Sequence, residues 1–191
     1  PPLSLSLCSF VIRVRDDAPD IADITNIVDE DSLATGPIVL TDTVPHDFGN
    51  DGAGSIDPTG SFTAKFQMGG PAVTLQSAGQ NITVTATANG YVGVAGGRTI
   101  FTLEINPTTG QYTYKQFDQI DHPDGTNPDD VIWLKFEVEI TDCDGDTDTA
   151  NIVIDVHDSG PEAVNDARSV NESGTISGDV TLNDKDGADE A

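Results

Sequence analysis

The chain is short of cations. It carries eight Lys and Arg against 33 Asp and Glu, a formal net charge of −25 over 191 residues. A nucleic-acid surface needs a basic footprint, and this composition excludes one. Attraction to anionic membranes is excluded for the same reason. No apolar run reaches the roughly 18 residues of a membrane span, and the opening Pro1-Pro2-Leu3-Ser4-Leu5-Ser6-Leu7-Cys8 has no basic n-region, so it does not read as a secretory leader. Cysteine is scarce as well. Cys8 and Cys143 are the only two, a bridge needs Cα atoms within about 7 Å, and Cys8 stands on the order of 25 Å of extended chain before the linker, so two free thiols are expected. No spacing brings His46, His122 or His157 near either thiol, which argues against a Cys/His metal site. Catalytic signatures are missing too: there is no Gly-x-Ser-x-Gly elbow and no His-Glu-x-x-His helix. Acids are numerous enough for a glycosidase pair, but aromatics for a sugar platform are few. No enzyme is expected, and His122 in Asp121-His122-Pro123 reads as a hydrogen-bonded turn residue rather than a base.

What the chain has is a repeat. Val11-Ile12-Arg13-Val14-Arg15-Asp16-Asp17-Ala18-Pro19-Asp20 aligns with Val153-Ile154-Asp155-Val156-His157-Asp158-Ser159-Gly160-Pro161-Glu162, and 161 − 19 = 142. The same offset joins Val28-Asp29-Glu30 to Val170-Asn171-Glu172, Gly36 to Gly178, and Leu40-Thr41-Asp42 to Leu182-Asn183-Asp184. A fixed period of domain size indicates a tandem array. Residues 1–15 then read as the tail of one repeat, 16–158 as a complete repeat and 159–191 as the start of the next. A repeat of about 140 residues can bury its own core. Residues 1–8 do not match Cys143 to Ala150, so they belong to a divergent repeat or are foreign to the array. The strand Ser9 to Arg15, parted from its own sheet, is expected to seek an edge of a neighbour.

The apolar pattern is that of strands. Ile132, Leu134, Phe136, Val138 and Ile140 alternate with Trp133, Lys135, Glu137 and Glu139, as do Ile152, Ile154 and Val156 with their neighbours. Asn81 to Ala88, Thr99 to Ile105 and Gln111 to Phe117 are further strands, punctuated by turns such as Asn106-Pro107-Thr108-Thr109-Gly110. No stretch keeps helical spacing beyond about two turns, although Asp118 to Pro123 suggests one short helical turn. The expected fold is all-β, an antiparallel β-sandwich of Ig-like or cadherin-like type. Trp133, opposite the apolar face, is expected to be covered by a neighbouring strand or loop rather than exposed for sugar stacking.

The acids gather in loops. Between Pro58 and Phe117 there is one, Glu104. Asp142-Cys143-Asp144-Gly145-Asp146-Thr147-Asp148 sets carboxylates at every second position around a glycine, so that alternate side chains converge as in a calcium loop. It lacks the twelve-residue span and terminal Glu of an EF-hand. Asp47-Phe48-Gly49-Asn50-Asp51-Gly52 is a second loop of this kind, and Asp184-Lys185-Asp186-Gly187-Ala188-Asp189 stands at a similar place in the next repeat. A third cluster joins the linker Asp16-Asp17 with Asp29-Glu30-Asp31; Asp158 and Glu172 occupy the outgoing side. The expected ion is Ca²⁺. Because the loop 142–148 immediately precedes the last strand, it should lie at the incoming end of the domain, beside Asp16-Asp17 and away from Asp158. A shared ion there would fix the angle between successive domains, as calcium does between cadherin domains by analogy.

The motifs Phe48-Gly49-Asn50-Asp51-Gly52-Ala53-Gly54, Gly96-Gly97-Arg98-Thr99-Ile100-Phe101-Thr102-Leu103, Gly110-Gln111-Tyr112-Thr113-Tyr114, Asp118-Gln119-Ile120-Asp121-His122-Pro123, Thr141-Asp142-Cys143-Asp144-Gly145-Asp146-Thr147 and Asp158-Ser159-Gly160-Pro161 occur in that order. Together they resemble the tandem repeat domain of giant type I secreted RTX adhesins of Gram-negative bacteria, over roughly Asp16 to Pro161. The resemblance implies an extracellular, calcium-loaded β-sandwich that extends as a monomeric array. Its partners are the adjacent repeats of the same chain, and it spaces a distal glycan- or peptide-binding region from the cell. The alternative is that this repeat itself grips a glycan or peptide through calcium. Two departures stand out. Cys143 replaces a small polar residue, and Asp158-Ser159 replaces the paired aspartates seen at Asp16-Asp17, which predicts weaker ion binding at the outgoing junction. The glycine-rich nonapeptide repeats of such proteins are not in these 191 residues.

Overall fold

Strict alternation in residues 131–142 organises the molecule. In the computed structural model, which describes residues 12, 17–66, 70–123, 127, 130–158, 160 and 163–184, Ile132, Leu134, Phe136, Val138 and Ile140 are fully buried while the residues between them are half-buried. The elements in chain order are β1 (Asp20–Ile21), β2 (Ile24–Asp29), a 3-10 turn (Glu30–Thr35), β3 (Ile38–Thr43), β4 (His46–Asp47), β5 (Ala53–Lys65), β6 (Gln76–Ser77), β7 (Gln80–Asn81), β8 (Thr83–Thr87), β9 (Gly90–Ala95), β10 (Arg98–Ile105), β11 (Gln111–Gln116), β12 (Val131–Asp142) and β13 (Thr147–His157). They form an all-β sandwich. One sheet has the order β3-β11-β10-β9-β8 and the other β2-β13-β12-β5. All pairs in these sheets are antiparallel except β2 with β13, which run parallel, Ile24 beside Ile152 and Asp29 beside His157.

The core lies between the sheets. Phe136 sits at its centre, with ring centroids 5.1 Å from Phe62, 5.3 Å from Tyr91 and 5.8 Å from Phe101, the range in which offset and edge-on aromatic pairs are favourable. Alternation alone does not reveal β2, β3, β5 or β9. Of these β5 is the longest, and Asp57-Pro58-Thr59-Gly60 in its middle has the composition of a turn. The strand runs on because the pairing with β12 slips between Phe136 and Val138. Pro58 is tolerated at such an irregularity, Gly60 adopts φ +88°, and the Tyr91 hydroxyl accepts from Gly60 N at 3.2 Å and donates to the Glu137 carbonyl at 2.5 Å.

The short helical turn expected at Asp118 to Pro123 is not there. That segment is irregular and is held by its partners: Ile120 N donates to Glu30 Oε1 at 2.9 Å, Asp121 N to the Gln76 carbonyl at 2.8 Å, and the Asp121 carboxylate accepts from Ala78 N and Gly79 N. The turn of 3-10 helix instead follows β2, where Asp29 caps it by accepting from Asp31 N at 2.9 Å.

Residues 163–184 contain no strand and are almost wholly exposed. Val170 is 50% exposed, although its equivalent 142 positions earlier, Val28, is 5% exposed. Val28 owes its burial to the parallel pairing of β2 with β13. Apart from Ile12, which is exposed, the segment Ser9 to Arg15, together with Cys8, Asp16 and Asp186, lies outside the described residues; Cys143 is an exposed free thiol. Among the described residues no helix is long and apolar enough to cross a membrane.

Candidate functional site

The hairpin that joins β12 to β13 folds around the first of its own aspartates. Asp142 Oδ1 accepts from Gly145 N at 3.0 Å and from Asp146 N at 2.9 Å, while Asp142 N donates to the Asp146 carbonyl at 3.1 Å. This is the aspartate-headed turn that a short acceptor side chain favours, with Gly145 at φ +104°. Cys143 N donates to the Gly52 carbonyl at 3.1 Å, which brings the second acidic loop alongside. Side-chain oxygens of Asp51, Asp142 and Asp144 then lie within 4.8 Å of one another.

Asp142 is the unusual member. It is only 4% exposed, and its Oδ2 is buried with no hydrogen-bond partner. Burial works to raise its pKa, but the contact with the Asp144 carboxyl and the amides of Gly145, Asp146 and Asp144 outweigh burial and hold it below the usual carboxylate range. A buried anion with an unmet oxygen, facing two more carboxylates, is a set of hard oxygen donors suited to a cation.

The incoming segment is tied to the same end. Asp17 Oδ2 accepts from Asn50 N at 3.0 Å and from Asn50 Nδ2 at 2.6 Å, and Ile21 N donates to Asp148 Oδ2 at 3.2 Å. Asp47 Oδ1 accepts from Gly49 N, and Asp47 pairs directly opposite Asp20, a pairing that a separation of 47 − 20 = 27 positions hides in the sequence. The backbone of Asp146 closes the hairpin, while Asp148 anchors β1; neither belongs to the three-carboxylate group.

The third acidic cluster is not one cluster. Asp17 stands at the incoming end, whereas β2, running parallel to β13, carries Asp29, Glu30 and Asp31 to the outgoing end. Linear proximity to Asp16-Asp17 misled because six residues of strand intervene. At the outgoing end Glu30 is fully buried, and its Oε1 accepts from Ile120 N and from Gln116 Nε2, which is itself linked through Gln116 Oε1 to the Tyr114 hydroxyl. Glu30, His122 and Asp158 form a second group with ligand atoms within 4.8 Å of one another. The expectation for His122 was a hydrogen-bonded turn residue, and its Nδ1 does lie 2.6 Å from Asp130 Oδ1. Its convergence with Glu30 and Asp158 was not foreseen. Asp130 carries no local sequence signal for this role. Asp29 acts as the cap described above, and Asp31 is exposed.

On the remote segment, Asp184 Oδ1 accepts from Val164 N at 2.7 Å, and Glu172 is exposed. Trp133 is half-buried, its indole N–H buried, on a strand position paired with Asp155 and Lys65.

No curated protein and no solved structure matches the chain. A family of domains described as a domain of unknown function, DUF5801, matches residues 25–155, which span more than half of the chain and nearly all of the sandwich. The chain belongs to the DUF5801 family.

Proposed function

We propose that this domain is a calcium-stabilised spacer, one of a tandem array in a large secreted adhesin, and that it holds a distal ligand-binding region away from the cell surface. The observation that carries this reading is the buried Asp142, whose Oδ2 has no partner and whose carboxylate meets Asp51 and Asp144 at the end where Asp17 and Ile21 of the incoming segment are tethered. A Ca²⁺ ion there would relieve the repulsion among the three carboxylates and stiffen the link to the preceding repeat. The 142-residue period and the charge of −25 support a role in an extended extracellular array, and the resemblance to RTX adhesin repeats implies type I secretion. Such a module acts mechanically rather than catalytically.

A domain that itself grips a glycan or peptide would offer a groove beside a cation. The shallow polar groove lined by Ser61, Thr63, Lys65, Lys135, Glu137 and Asn151 lies on the sheet face. It is several residues of strand, about 15–20 Å, from either end of β12. That separation favours the spacer.

The test is calcium titration calorimetry on the wild type and Asp144→Ala, with small-angle scattering on a chain of two complete repeats. Saturable binding that weakens in Asp144→Ala, together with greater bending in the variant or in EDTA, is expected. Absence of saturable binding, or a maximum dimension indifferent to both the variant and chelation, would refute the reading.

A further inference from the structure

The outgoing end holds donors of a different kind. His122 has a side chain only 1% exposed, and its Nε2 is buried without a hydrogen-bond partner, 3.8 Å from Glu30 Oε2, beyond hydrogen-bonding reach. Its other nitrogen, Nδ1, lies 2.6 Å from Asp130 Oδ1. A carboxylate oxygen at that distance accepts, so Nδ1 carries the proton, and in the neutral ring the Nε2 lone pair is then directed at Glu30 and Asp158. A lone pair facing two carboxylates is repulsive unless Nε2 takes up a proton or a metal cation lies between them.

We propose that Glu30, His122 and Asp158 bind a transition-metal ion of the Zn²⁺ class, with Asp130 as the positioning residue that fixes the imidazole tautomer. A carboxylate on the distal nitrogen is the arrangement that orients and strengthens a metal-binding histidine. The donor set selects the ion: calcium takes six to eight oxygens, whereas imidazole suits zinc and its neighbours. Tetrahedral zinc with bonds of about 2.0–2.2 Å places its donors about 3.3–3.5 Å apart, so the 3.8 Å between Nε2 and Glu30 Oε2 requires only a small contraction. The rest of the site is braced for this. Glu30 Oε1 is engaged by Ile120 N and Gln116, which leaves Oε2 on the imidazole side. Asp158 N donates to the Asp130 carbonyl at 3.1 Å, coupling the ligand to the positioning residue. Three protein donors leave one tetrahedral position for water or for a group from the following repeat. This inference does not rest on the calcium reading of the other end.

The experiment is titration of the calcium-loaded wild-type chain with zinc chloride, and with cobalt chloride as a spectroscopic probe, while imidazole ¹⁵N shifts are recorded. One Zn²⁺ per chain is expected in the presence of millimolar calcium, with visible absorption from Co²⁺ at the same stoichiometry. The His122 Nε2 resonance should move, and those of His46 and His157 should not. Asp130→Asn should weaken zinc binding by about 10–100-fold, His122→Gln should abolish it, and Glu104→Gln, at an exposed position of β10 in the other sheet, should leave it unchanged. Because His122→Gln alters a buried side chain and so also perturbs the fold, the wild-type resonances decide. Zinc binding that leaves His122 unmoved, no saturable uptake, or a His122 ring protonated on both nitrogens as an ion pair with the carboxylates would each overturn the proposal.

Discussion

The two ends of β12 set opposite problems for a cation. At Asp142 the carboxylates come from the β12–β13 hairpin and the neighbouring β4–β5 loop, two of the three residues are exposed, and every donor is an oxygen. At the other end, twelve residues or about 40 Å of strand away, Glu30 and His122 are buried, and one donor is a nitrogen. The incoming site is built by local turns, with the incoming segment tethered beside it through Asp17 and Ile21. The outgoing site is assembled from four separate stretches of chain: the 3-10 turn, the irregular segment 118–122, the residue before β12 and the residue after β13. The first is suited to taking up and releasing a hard ion at a junction. The second is integral to the core.

The broadest perturbation acts through the tyrosines. All three in the sequence, Tyr91, Tyr112 and Tyr114, are buried, and their pKa values are raised by that burial, with the charges of Glu137, Asp42 and Glu30 respectively acting in the same direction. A folded-state pKa above the unfolded value of about 10 contributes stability that is intact below that pH and is lost as pH rises toward the folded value. Tyrosinate absorbance should therefore appear together with loss of the native near-UV spectrum above about pH 10. Since Tyr114 supports Gln116 and Glu30, His122 resonances should broaden first. Tyrosinate formed within an intact fold would contradict the burial argument.

Phe136→Ala removes the ring at the centre of the aromatic core and should cost about 3–5 kcal/mol, read from urea unfolding. It should weaken both ends alike, because both hang on β12. Gly54→Ala should separate them. A Cβ there would stand 2.1 Å from the Thr141 carbonyl oxygen and 2.7 Å from that of Asp142. The expected cost is about 1–3 kcal/mol for overpacking, with calcium affinity lowered and the His122 signals unchanged. Equal disturbance of both ends would mean that they are not independent.

The sandwich was legible because β12, β13 and β11 alternate between one buried and one outward face, as β10 does from Phe101 to Ile105. β5 was hidden by Pro58 and Gly60, which read as a turn until Tyr91 is seen to satisfy the bulge. Of the acidic groups, the loops at Asp51 and at Asp142 to Asp144 could be read from spacing, since turns bring alternate residues together. The outgoing group could not. Its members lie up to 128 positions apart, and only the parallel pairing of β2 with β13 places Glu30 beside Asp158. His122 gave a faint signal, a histidine flanked by Asp121 and Pro123 in a sequence with only three histidines, but nothing local indicates that Asp130 would orient it.

The central claim, that calcium bound at the incoming end stabilises the domain, is tested most directly by thermal unfolding in calcium and in EDTA at fixed sodium chloride, for the wild type and Asp144→Ala. Binding to the native state alone adds about 2.7 kcal/mol at a hundredfold excess over Kd, or roughly 10 °C for a domain of this size. The account predicts a shift of that order in the wild type and a much smaller one in Asp144→Ala. Superimposable wild-type curves in calcium and EDTA would contradict it.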